Sequence, residues 1–137
     1  MLETGGPRET EAAGARVAAA LAPGDVVHVV GDLGAGKSTF VRGACRALGV
    51  TVPVTSPTFA IAHRYSANGG VSVAHVDLYR LESLAAEDEE LLADYFGDDT
   101  ITFVEWPAVG AAQLPAPRMI VSLTHLGGDR RRIEVSA

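Results

Sequence analysis

With 137 residues and 47% apolar content, the chain is long enough to bury roughly two-thirds of its unfolded surface, and its composition is not that of a disordered segment. A net charge of −6 argues against nucleic acid as a direct, extended partner, and no apolar run reaches the length of a membrane span. The lone Cys45 excludes an internal disulfide, and Met1 to Thr10 lacks the basic region of a secretory signal, so a cytoplasmic single domain over residues 1–137 is expected.

Residues 7–22 read as a first helix, with Pro7 in its first turn and Ala13, Val17 and Leu21 along one face. Its first turn, around Thr10, is a candidate for contact with a base or ribose. Pro23-Gly24-Asp25 ends the helix, and Val26 to Val30 reads as a buried strand rich in β-branched residues.

The next stretch, Gly31-Asp32-Leu33-Gly34-Ala35-Gly36-Lys37-Ser38, fits the phosphate-binding loop pattern between a strand and a helix from Thr39 to Leu48. Such a loop wraps a phosphate chain with backbone N–H groups, and the following helix points its positive end at the same oxygens. Gly34, Ala35, Gly36, Lys37, Ser38 and Thr39 are the expected nucleotide contacts. Lys37 would reach the β- and γ-phosphates, and the Ser38 hydroxyl would ligate Mg²⁺. Lys37 is also the only lysine; the other ten basic residues are arginine. The exception falls where a compact ammonium serves better than a planar fork. The pattern predicts nucleoside triphosphate binding. Cys45, spaced with Val41 and Leu48 on this helix, reads as a core residue.

Thr55-Ser56-Pro57-Thr58 is a hydroxyl-rich turn, or alternatively a segment that senses the γ-phosphate. Phe59 to Tyr65 and Val71 to Asp77 read as strands joined by a hairpin over 66–70. A helix over about residues 83–96 with a solvated acidic run follows, then a buried strand from Thr100 to Val104 that ends in Glu105-Trp106-Pro107. An irregular loop, 108–117, leads to an antiparallel pair, Met119–Leu126 and Arg132–Val135. The expected fold is α/β, a P-loop NTPase-type mixed sheet with helices packed on it.

A phosphate loop needs an acid at the tip of a neighbouring strand. Asp77 and Glu105 both meet that description. One division gives Glu105 the metal and Asp77 the attacking water, although either carboxylate alone fits a strand-end cap equally well. Arg130-Arg131-Arg132, at a hairpin near the C-terminus, is a solvated turn or a phosphate, base or partner contact, with Arg131 the candidate residue. His28, His63, His75 and His125 have no metal-ligand spacing and read as core or surface residues.

Four segments in this order, 31–40, Ser-Pro-Thr-Phe (56–59), His-Val-Asp-Leu-Tyr-Arg-Leu (75–81) and Val-Glu-Trp-Pro (104–107), resemble the TsaE (YjeE) family. The loop is generic; the last two segments behind it are specific. The resemblance implies ATP binding and slow hydrolysis. It also implies association with TsaB and TsaD, which transfer a threonylcarbamoyl group to adenosine 37 of certain tRNAs. By the same likeness Ser38 and Glu105 hold Mg²⁺, Asp77 matters for hydrolysis, and Thr58 lies in a switch-like segment. Two departures stand out: Ser38 where many members carry Thr, and an acidic, alanine-rich stretch over 82–90.

The rivals are a small P-loop kinase, a GTPase and a non-catalytic nucleotide sensor. A kinase usually carries an acceptor-binding insertion and an Arg-rich lid, and neither is evident. A GTPase needs an Asn-Lys-x-Asp segment, whereas the only asparagine, Asn68, precedes glycine. Against a fast, self-contained hydrolase, the only glutamine, Gln113, lies in the loop between Pro107 and Pro115, and no arginine stands in a recognisable finger position.

Overall fold

The computed structural model describes residues 1–54, 62–79, 81, 86–110 and 114–137, and of 86–89 the backbone alone. The described strands form one mixed sheet. In chain order the elements are β1 (Leu2–Thr4), α1 (Pro7–Ala18), β2 (Val26–Val30), α2 (Lys37–Ala47), β3 (Ala62–Ser66), β4 (Ser72–Asp77), α3 (Ala86–Ala93), β5 (Thr100–Glu105), β6 (Met119–Gly127) and β7 (Arg130–Ser136). The spatial order of the strands is β1-β7-β6-β2-β5-β4-β3. β2 runs parallel to both β5 and β6, and β4 runs parallel to β5. β3, β7 and β1 add antiparallel pairs at the two ends. The expected α/β mixed sheet is therefore present.

Side-chain alternation sorts the central strands between two cores. Val27, Val29, Val73, Ile101 and Phe103 pack with Phe40, Val41, Ala44 and Cys45 of α2 and Ala13 of α1. Val26, Val76 and Val104 pack on the other face with Leu78 and Leu92. Cys45 is a core residue as expected, and burial pushes its thiol up to about 12. α1 and α2 meet backbone to backbone. A Cβ on Gly43 would stand 2.0 Å from the Glu11 carbonyl oxygen, and one on Gly14 would stand 2.1 Å from that of Phe40. No side chain larger than hydrogen fits at either crossing point.

Several boundaries differ from the sequence expectation. α1 ends at Ala18 rather than 22: the N–H groups of Ala20 and Leu21 bond three residues back, to Val17 and Ala18, which tightens the chain out of the helix. α2 starts at Lys37, so the loop lysine is already helical. In β7 the tri-arginine lies within the strand, not at an exposed turn: the hairpin closes at Gly128-Asp129, and a register shift near Gly127 takes up the slack. β1 is unforeseen. Three residues are too few to show an alternation, and its place is given by pairing Leu2, Glu3 and Thr4 with Ile133, Arg132 and Arg131. The first residues of the 59–65 strand and of the 83–96 helix lie outside the described residues. No described helix is long and apolar enough to cross a membrane.

Candidate functional site

The loop leaves the tip of β2 and turns directly into α2. Gly36 caps that helix at φ 98°, a left-handed conformation in which a Cβ is strained. Gly31 passes so close to β6 that a Cβ would lie 2.5 Å from the Leu123 carbonyl oxygen. Ala35 is wholly buried, and its N–H bonds Asp32 O at 3.0 Å, which closes the turn.

Lys37 is buried, although it is a lysine. Its Nζ donates to the carbonyls of Gly31 (2.6 Å) and Asp32 (2.9 Å) and lies 4.3 Å from the centroid of the Trp106 ring. Desolvation lowers the ammonium's pKa, while Glu105, Asp77 and Asp32 push it back up. Trp106 itself has φ 58°, which is uncommon for a bulky residue, and its ring stands 5.0 Å from that of Tyr79.

The two acids arrive by strand register. Asp77 pairs with Glu105 across β4 and β5, and Glu105 pairs with Val29 across β5 and β2. Both carboxylates therefore stand at the sheet edge from which the loop departs, where ligands of open α/β sheets gather. Glu105 is buried, and its Oε2 accepts a hydrogen bond from Ser38 Oγ at 3.3 Å. Asp77 is half-buried and its Oδ1 accepts from Tyr79 N at 3.0 Å. Burial raises the Asp77 pKa and the nearby Glu105 adds to it; the Tyr79 N–H, His75 and Lys37 oppose.

Of the other expected residues, Thr10 is buried, and its hydroxyl shares a 2.8 Å hydrogen bond with that of Thr4 in β1. With Gly36, Thr39, Asp129 and Arg131 it lines a small cavity of about 40 Å³ beside the loop. Arg131 crosses from β7 to the loop and donates from Nη2 to Gly34 O at 3.2 Å. Thr58 and Gln113 lie outside the described residues. Sequence reasoning passed over two neighbours of the site. His75 is fully buried, and its Nε2 hydrogen-bonds Glu105 Oε2. Trp106 covers the lysine. The signal for His75 was its position two residues before Asp77, on the same face of the strand; for Trp106 it was adjacency to Glu105.

Ser38 and Glu105 fit a hard divalent cation, since both are oxygen donors and their side chains already touch. Among the described residues no group of three His, Cys, Asp or Glu forms a closed cage. An ion such as Mg²⁺ takes one or two protein ligands and completes its octahedron from phosphates and water.

A glycine-rich strand-to-helix loop with a buried lysine, facing acids at the adjoining parallel strand tips, defines a P-loop α/β protein. The family described as "Threonylcarbamoyl adenosine biosynthesis protein TsaE" matches residues 4–133. The chain belongs to the TsaE family. It is 41% identical over 132 residues to the Bacillus subtilis "tRNA threonylcarbamoyladenosine biosynthesis protein TsaE", covering 96% of this chain and 81% of that one. The Streptomyces coelicolor protein of the same name is 40% identical, over 85% of this chain and 79% of its own. A crystal structure of Bacillus subtilis YdiB superposes with a TM-score of 0.78 at 36% identity, covering 96% of this chain and 80% of that one.

Proposed function

We propose that this chain binds ATP, hydrolyses it slowly with Mg²⁺, and acts in the cytoplasm in the threonylcarbamoylation of tRNA adenosine 37, within an assembly with TsaB and TsaD. The carrying observation is the convergence of Lys37, Ser38, Glu105 and Asp77 at one sheet edge, in a chain whose curated relatives are named for that biosynthesis. Backbone N–H groups of the loop cradle the phosphates, and Lys37 exchanges its carbonyl partners for β- and γ-oxygens. Ser38 and Glu105 hold the Mg²⁺, which offsets the charge of the phosphate oxygens. Asp77, at the half-open tip of β4, orients the attacking water. A carboxylate whose proton affinity is raised by burial suits that role. Thr10 and Arg131 flank the nucleotide on the far side of the loop.

A low basal rate is part of this reading. In related hydrolases a supplied arginine raises turnover by about 10³ to 10⁵. Here Arg131 is engaged with carbonyls of the loop and its own hairpin. Completion by partner proteins is therefore expected. Steady-state ATPase is measured on the chain alone, then with TsaB and TsaD, then with tRNA. Slow turnover that changes on assembly supports the reading; fast turnover indifferent to the partners refutes it. Turnover that demands a small phosphate acceptor instead of water would make the protein a kinase.

A further inference from the structure

Glu105 has a neighbour that neither the loop nor the acid pair accounts for. His75 lies on the face of β4 that carries Asp77 and packs against α2, with Val73 of the same strand in that core. The residue is fully buried. Nε2 meets Glu105 Oε2, the oxygen that also accepts the Ser38 hydroxyl. Since the partner is a carboxylate, Nε2 carries the hydrogen and donates it. Nδ1 is then the bare nitrogen, and among the described residues Nδ1 is indeed buried without a hydrogen-bond partner. An orphaned acceptor is the more tolerable of the two defects, because a buried N–H left unpaired is rarer.

A side chain wanted here for packing alone would be apolar, as Val73 on the same face of β4 and Phe103, its register partner on β5, are. An imidazole is costlier to bury, and the expense is offset only through its polar contacts. The contact it makes is with the carboxylate at the head of the site. Glu105 has three side-chain torsions and would otherwise sample several orientations at the edge of the sheet.

We propose that His75 is a positioning residue: its Nε2–H holds the Glu105 carboxylate in the one orientation that meets Ser38, and so prepares the oxygen pair that receives the nucleotide's Mg²⁺. This rests on the assignment of Ser38 and Glu105 to that ion. A donor behind a liganding carboxylate fixes its direction, and loss of such a donor typically costs about ten- to a hundredfold in metal affinity.

Two variants separate the hydrogen bond from the bulk. His75→Gln keeps an N–H near the Nε2 position, and His75→Leu keeps volume without a donor. ATP affinity is measured by titration calorimetry with Mg²⁺ and with EDTA. The parent should gain affinity from Mg²⁺, His75→Gln should keep most of that gain, and His75→Leu should lose about ten- to a hundredfold of it with metal-free affinity unchanged. An undiminished Mg²⁺ gain in His75→Leu overturns the proposal, as does a parallel loss with and without metal, or a glutamine variant that behaves as the leucine one. A parent with no Mg²⁺ gain instead sinks the underlying metal assignment, and the proposal with it. A measurement on the unaltered chain guards against a variant that does not fold. Nitrogen-15 spectra of its four histidines, with His75→Gln marking the signals, should show His75 protonated at Nε2. A His75 protonated at Nδ1 alone would overturn the hydrogen bond itself.

Discussion

The tips of β4 and β5 are neighbours in register, yet they present their carboxylates in opposite circumstances. Asp77 is short and turns back to the N–H of Tyr79 in its own chain, half open to solvent. Glu105 is one methylene longer, buried, and gathered between Ser38 and His75 from two other elements. Strand pairing delivers both acids to the same height, and side-chain length with local backbone decides which is gathered in and which stays half open. A tethered oxygen suits a cation; a less constrained one with raised proton affinity suits water.

The largest test removes what both tips share, since Lys37 feels each of them. Lys37→Ala should abolish ATP binding: at a hundredfold excess over Kd, ATP adds about 2.7 kcal/mol to the parent's stability and should add nothing to the variant, read by calorimetric melting. Equal shifts in both would discard the loop assignment. Next come the acids themselves. Asp77→Asn should retain Mg-ATP binding and lose about 10²- to 10⁴-fold in kcat. Glu105→Gln should weaken Mg-ATP by about tenfold or more while sparing metal-free ATP. Steady-state kinetics beside titrations with and without Mg²⁺ decide between this division and its reverse.

A smaller effect should come from behind the loop. Gly43→Ala forces a methyl against the Glu11 carbonyl, parts α1 from α2, and should cost about 1–3 kcal/mol of stability by denaturant titration. An unchanged midpoint would mean that the helix crossing gives way freely. The smallest concerns proton linkage at Asp77. Its folded pKa is raised, so the native state binds that proton more tightly than the unfolded chain does. Stability is therefore lost as pH rises through the window between the ordinary carboxylate value and the raised one. Asp77→Asn, which keeps the oxygen that accepts from Tyr79, should melt slightly higher than the parent at pH 7. The gap should close as pH falls below the ordinary value near 3.8, where the aspartate is protonated in both states. A gap that widened on acidification would reverse the sign assigned to burial.

Much of this architecture was legible because its signals are local. The loop's glycines and lysine, the β-branched run of β2 and the acids that end β4 and β5 are written in consecutive residues. Strand order was not, since parallel neighbours such as β2 and β5 are separated by about half of the chain. β1 escaped for want of length, and with it the hydroxyl pair Thr4–Thr10 that ties the first helix to the sheet. His75 escaped for another reason. A lone histidine in an apolar strand is ordinarily a core residue, and only the register of β4 on β5 turns it into a partner of Glu105. The last strand was expected to begin at Arg132, whereas antiparallel pairing with β6 takes in Arg130 and Arg131 as well, and Arg131 reaches the loop.

The contact between Trp106 and Lys37 has an optical consequence. Trp106 is the chain's only tryptophan, and an ammonium sits 4.3 Å from its ring centroid with a tyrosine ring 5.0 Å away. Indole fluorescence responds to a charge at that distance, so the emission of the whole protein reports the whereabouts of one side chain. When phosphates draw Lys37 away from its carbonyl perch, the emission should change with no label attached, and in Lys37→Ala it should stay constant at every nucleotide concentration. The same residue that shields the lysine also makes its movement visible, on the timescale of a rapid-mixing experiment.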